Sequence, residues 1–74
     1  MRSIHTPAYQ RFVQRLREAR EAAGLTQVEV AKAFKRPQSW VANCESGERR
    51  VDLIEAAEFA RLYGVPITDF LPRG

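Results

Sequence analysis

Residues 26–47 read TQVEVAKAFKRPQSWVANCESG, and two helices can be placed inside this stretch. Thr26-Gln27-Val28-Glu29 puts a hydroxyl at a cap position and a carboxylate three residues later. That is a capping box, in which the two side chains satisfy two otherwise orphaned backbone N–H groups. Leu25 and Val30 are spaced to form the accompanying hydrophobic staple. The helix runs to about Phe34 and buries Val30, Ala31 and Phe34. The chain then turns at Lys35-Arg36, and Pro37 opens a further helix from Gln38 to about Glu45, which Ser46-Gly47 closes.

Upstream, Thr6-Pro7 starts the first helix: Thr caps it, and Pro tolerates the first helical position. Tyr9, Phe12, Val13, Leu16, Arg20 and Ala23 follow at three- and four-residue steps. They form one apolar stripe that a charge, Arg20, interrupts, and Gly24 ends the helix. Downstream, Asp52-Leu53-Ile54-Glu55 is a second capping box. The helix it starts stops before Gly64 and places Leu53, Ala56, Ala57, Ala60 and Tyr63 on one face. Val65-Pro66 breaks the chain again, and Thr68 or Asp69 is expected to cap a last turn carrying Phe70 and Leu71. No segment alternates with period two, so the expectation is an all-α fold: one compact domain over residues 1–74 with five short helices.

Composition narrows the functions. The sequence has 74 residues, a formal net charge of +3 and 45% apolar residues, which is ordinary globular usage. One Cys excludes an internal disulfide. One Cys and one His cannot build a four-ligand zinc site, so neither a metal nor a cofactor is expected. His5 stands without a visible partner, and no catalytic constellation can be named, which argues against an enzyme. With no apolar run long enough to span a membrane and no signal-peptide core after Met1, the expected location is the cytoplasm. The charge is uneven: residues 1–50 carry ten Lys and Arg against five Asp and Glu, whereas residues 51–74 carry two against four. A basic front with an acidic back suits a polyanionic partner.

Two short helices joined by a tight turn form a helix-turn-helix, here at about residues 27–46. On a helical wheel, Trp40, Val41 and Cys44 fall on one side of the second helix. Gln38, Ser39, Ala42, Asn43 and Ser46 fall on the other. A merely solvated face favours Lys and Glu, the good helix formers for exposed positions. Amides and hydroxyls instead match base edges: Gln or Asn bonds adenine N7 and N6 together, and Ser suits several bases. Arg36 precedes this helix and Arg49-Arg50 follow it, where phosphates would pass. Trp40 has two readings, an indole N–H offered to a phosphate or a large core residue. Cys44, on the inward side, reads as a small hydrophobe rather than a redox switch.

Residues 16–71 resemble the lambda-repressor/Cro-like, or XRE-type, helix-turn-helix domain. The resemblance is carried by Leu25-Thr26-Gln27, Val30-Ala31, Arg36-Pro37-Gln38-Ser39-Trp40-Val41, Glu45-Ser46-Gly47-Glu48-Arg49 and Leu62-Tyr63-Gly64-Val65. It implies that Gln27 binds a phosphate and braces the recognition helix, that Gln38, Ser39 and Asn43 face bases, and that Arg20 pairs with Glu45. The sequence departs from the family at Lys35, where the family usually has a Gly in left-handed conformation, and in the short Ala42 and Asn43.

The function implied is that of a small transcriptional regulator, a repressor or autoregulator, that reads double-stranded DNA with the helix at about residues 37–45 in the major groove. One such helix reads few base pairs, so a homodimer on a palindromic operator is expected. Its interface is placed at Leu62, Ile67, Phe70 and Leu71, the alternative being that this tail folds back and seals the core. A second class of function is a protein-interaction module, an antitoxin or adaptor with a protein partner, for which an exposed apolar patch would speak.

Overall fold

Every break between helices has a local cause that the structure makes visible. The structure is a computed structural model describing residues 6–71; His5, weighed above, lies outside the described residues, as do Arg2 and Arg73, which enter only the charge count. Helix α1 spans Pro7–Ala22, with the Thr6 hydroxyl accepting from the Tyr9 N–H at 3.1 Å. Helix α2, Gln27–Phe34, starts on the complete Thr26–Glu29 capping box. Helix α3 spans Gln38–Ser46, with Pro37 just before it at the cap position. Helix α4, Leu53–Tyr63, starts on the complete Asp52–Glu55 box. A 3₁₀ helix, Ile67–Phe70, follows. The described residues contain no strand, and none of their helices is long and apolar enough to cross a membrane.

The core sits among the four α-helices, with the 3₁₀ helix closing it. Leu16, Val30, Val41, Cys44, Phe59 and Phe70 are its fully buried side chains. Phe59 is its aromatic centre, with ring centroids 4.6 Å from Phe34, 5.8 Å from Trp40 and 5.9 Å from Tyr63. Burial pushes the Cys44 thiol up, away from the reactive thiolate, which agrees with a packing role.

Three expectations need correction. The buried face of α4 is Ala56, Phe59, Ala60 and Tyr63, while Leu53 is 73% exposed and Ala57 is exposed. The apolar stripe drawn through Leu53 and Ala57 is rotated away from the true one, which passes through the fully buried Phe59. Thr68 and Asp69 do not cap the last turn; they lie inside it, behind Pro66. Phe70 is not a surface residue at all. It is 1% exposed and meets Phe12 edge-on at 6.0 Å, and Ile67 packs partly buried against the same core. The tail seals the domain because burying one Phe stabilises it by about 1.5–3 kcal/mol, a large share for so short a chain.

The turn between α2 and α3 closes on Lys35, whose φ of 56° and ψ of 46° are left-handed. Its N–H and that of Arg36 reach back to Lys32 and Ala31 carbonyls at 3.1 and 3.0 Å, which ends α2 cleanly. A residue with a Cβ is disfavoured there by about 1–2 kcal/mol. Lys35→Gly is therefore expected to stabilise the fold by several tenths to about 1 kcal/mol, the gain being reduced by the freer unfolded chain. A chemical-denaturation midpoint lower than that of the parent would contradict this account of the turn.

Candidate nucleic-acid interface

The exposed side of α3 is presented by burying the opposite one. Trp40, Val41, Cys44 and Glu45 are buried, and Gln38, Ser39, Asn43 and Ser46 are exposed, with Ala42 half-buried between them. Glu45 is the exception in a core of apolar groups, with its side chain only 3% exposed. Arg20 answers it with two bonds, Nε to Oε2 at 2.7 Å and Nη2 to Oε1 at 3.2 Å. Arg20 also donates through Nη1 to the Leu25 carbonyl at 2.8 Å, tying the α1–α2 connection to the same point. The Glu45 hydrogen bond raises the Arg20 pKa further, so the guanidinium stays charged. This is why a charge interrupts the apolar stripe of α1.

The network continues to the surface. Gln27 Nε2 donates to Glu45 Oε1 at 3.0 Å, and Gln38 Nε2 donates to Gln27 Oε1 at 3.3 Å. An ionised carboxylate only accepts hydrogen bonds. Glu45 therefore compels Gln27 to point its NH₂ inward and its oxygen outward, and that oxygen in turn takes an N–H from Gln38. Gln38 is left with its own carbonyl oxygen and one N–H facing solvent. Those are one acceptor and one donor, side by side, at the start of α3.

The cations around this face are not equivalent. Arg36 is exposed, with its guanidinium carbon 5.2 Å from the Trp40 ring centroid. Arg50 is exposed and stacks on Tyr9 at 5.4 Å, and the Tyr9 hydroxyl accepts the Val51 N–H at 2.8 Å, pinning the α3–α4 loop to α1. Arg49 is engaged differently from the expectation. It meets Glu55 through both arms, at 2.9 and 2.8 Å, and lies 5.0 Å from the Trp40 ring centroid. The Arg49 guanidinium holds the Glu55 carboxyl below its ordinary range. The reading of Trp40 as a phosphate donor is corrected too: its Nε1 is buried with no hydrogen-bond partner among the described residues. Trp40 stacks on Phe59 and acts as the platform under Arg36 and Arg49.

Glu55 and Tyr9 are the residues that sequence reasoning missed here. Glu55 was legible only as a capping residue, since no local pattern pairs it with Arg49 across a loop. Of the residues assigned to a dimer contact, Leu62 and Leu71 remain exposed at 37% and 53%, whereas Phe70 and Ile67 belong to the core.

The comparisons with known proteins agree with this geometry. A family model described as a helix-turn-helix domain matches residues 11–70. A solved structure of an XRE-family like protein from Pseudomonas syringae pv. tomato str. DC3000 is similar, at 45% identity and a TM-score of 0.77. The match covers 84% of this chain and 76% of that one. No curated protein matches.

The Arg20–Glu45 contact makes a quantitative prediction. Removing one member strands a desolvated charge, at a cost of about 3–5 kcal/mol, whereas removing both leaves none. Arg20→Ala and Glu45→Ala should each lower the unfolding free energy, and the double variant should recover part of the loss. Strict additivity in the double-mutant cycle would argue against a coupled pair.

Proposed function

The chain belongs to the XRE-type helix-turn-helix family of DNA-binding regulators, and we propose that it binds double-stranded DNA sequence-specifically, with α3 in the major groove. The observation that carries this reading is the oriented amide of Gln38. Its outward acceptor and donor match the N6–H and N7 of adenine, the bidentate contact available to glutamine. Ser39 and Asn43 lie on the same exposed face and reach neighbouring base edges. Gln27, at the N-terminus of α2, Arg36 and Arg50 hold phosphates on either side and fix the register without reading sequence. Trp40 takes part only as the platform for Arg36. The protein acts in the cytoplasm, at the nucleoid when bound, as a repressor or autoregulator that blocks its site by occupying it.

A palindromic operator requires two copies, and the burial of Phe70 moves the contact to the outer face of α4. Ile54, Ala57, Glu58, Arg61 and Leu62 are exposed there, opposite Ala56, Phe59, Ala60 and Tyr63. Neither Glu58 nor Arg61 is in an ion pair among the described residues. When two α4 helices run antiparallel about a twofold axis, Glu58 of each copy faces Arg61 of the other and Ala57 faces Leu62. Such a surface is self-complementary, as a twofold contact demands. The second class of function, a protein-binding module, is favoured by one feature: Leu53 and Leu71 stand exposed beside an apolar groove over Phe12, Ala56, Ile67 and Phe70. Weak, salt-insensitive binding to every duplex would favour that module.

Two measurements test the reading. Gln38→Ala is expected to cost about 1–3 kcal/mol on the cognate duplex, selected from a random pool, and to relax preference at one base pair per half-site. Equal losses on cognate and random duplexes would reject the base contact. For the dimer, Glu58→Arg and Arg61→Glu should each sediment as monomers, and an equimolar mixture should form a heterodimer, because opposite charges then face each other twice. A mixture that stays monomeric, or single variants that still dimerise, would move the interface elsewhere.

A further inference from the structure

Arg49 borders the recognition helix, yet its charge is already answered from within the chain. Both arms of its guanidinium lie against the two oxygens of Glu55, at 2.9 and 2.8 Å. This two-pronged arrangement is the one an arginine makes with a phosphate. The Arg49 side chain is 36% exposed and that of Glu55 only 17%, so the cation lies toward solvent and the acid behind it. The acid is itself fixed. Glu55 accepts the Asp52 N–H at 3.1 Å as part of the α4 capping box, where the helix N-terminus favours a negative charge. The cation is fixed as well, because Arg49 also donates to the Arg50 carbonyl at 3.0 Å and rests on Trp40. A DNA phosphate taking this same two-pronged edge of Arg49 must therefore displace a carboxylate that is itself held in place.

We propose that Glu55 is a positioning residue that stands in for phosphate on Arg49 and withholds that cation from the DNA backbone. This rests on the DNA-binding reading above. Arg36, exposed over Trp40, is in no ion pair among the described residues, so the backbone meets a different cation there from the one held at Arg49. The consequence is a lower affinity for duplex of any sequence, which is set almost wholly by the number of phosphates neutralised. Affinity for the cognate site is set in addition by base contacts at α3, so restraint at Arg49 favours the correct site over the excess of random ones.

The test compares the parent protein with Glu55→Gln, Arg49→Ala and the double variant. Glutamine keeps the capping-box hydrogen bond and removes the charge that competes with phosphate. On a random duplex, Glu55→Gln should steepen the salt dependence by about one unit per chain, an extra loss of about three- to fourfold in affinity between about 50 and 200 mM salt. Arg49→Ala alone should leave the parent slope unchanged, and the double variant should return to it. Elution from a heparin column, a polyanion with no base sequence, should follow the charge left at the pair: Glu55→Gln later than the parent, the double variant with it, and Arg49→Ala, which leaves the Glu55 carboxylate unanswered, no later than the parent. The heparin order holding while the protein fails to prefer any duplex would keep this inference and reject the sequence-specific reading. An Arg49→Ala protein with a slope flattened by one unit, or a double variant that keeps the gain of Glu55→Gln, would overturn the inference. The first would mean that Arg49 already holds a phosphate, and the second that only the loss of a negative charge matters.

Discussion

A carboxylate buried in an apolar core is tolerated only if it is paired, and Glu45 sets this requirement for the whole domain. Its position near the end of α3 means that the pair with Arg20 joins the recognition helix to α1 across the core. Arg20 also holds the Leu25 carbonyl, so the connection that launches α2 is tied to the same charge pair. Three helices thus share one electrostatic joint. A well-packed hydrophobic replacement could match its stability. What the pair adds is direction, since charged forks accept few geometries.

That direction carries to the surface. Hydrogen-bond chains have polarity, and a carboxylate at one end decides it for every amide that follows. Gln27 and Gln38 could each be turned either way in isolation, as an amide offers both a donor and an acceptor. Glu45 removes the choice for both. The chemistry displayed at the start of α3 is in this sense determined by a buried residue two turns further along the same helix. A rigid, ordered display also loses less entropy when a partner is bound.

The cations are sorted by the same kind of logic. Trp40 and Tyr9 are aromatic platforms, Trp40 for the guanidinium groups of Arg36 and Arg49 and Tyr9 for that of Arg50. Their polar atoms behave differently: the Tyr9 hydroxyl is used to hold Val51, while the Trp40 Nε1 is buried and unpartnered. Burial of that N–H is a cost that the stacking of Trp40 between Phe59 and the arginines offsets.

Local chemistry was readable without any structure. Capping boxes at Thr26 and Asp52, the Thr6 cap, and glycine stops after α1, α3 and α4 depend on residues within one turn of each other, so the helix boundaries follow from the sequence. The inward and outward sides of α3 were legible for the same reason, because a short helix with a clear period has one apolar side. The left-handed Lys35 was reachable through resemblance, and the Arg20–Glu45 pair came by that route as well. Everything that depends on the meeting of distant segments was not legible. The stripe of α4 was misdrawn because the decisive contact, Phe59 against Phe34 and Trp40, lies between elements. Phe70 looked like surplus apolar surface until Phe12, 58 residues earlier, supplied its pocket. Arg49 and Arg50 are adjacent and identical in sequence, and only tertiary packing sets Arg49 between Glu55 and Trp40 and Arg50 over Tyr9. Sequence alone determined where helices begin and end, since those interactions are local. Which side chains are covered, and which charges are answered, was decided by tertiary structure, because burial and pairing are properties of segments brought together.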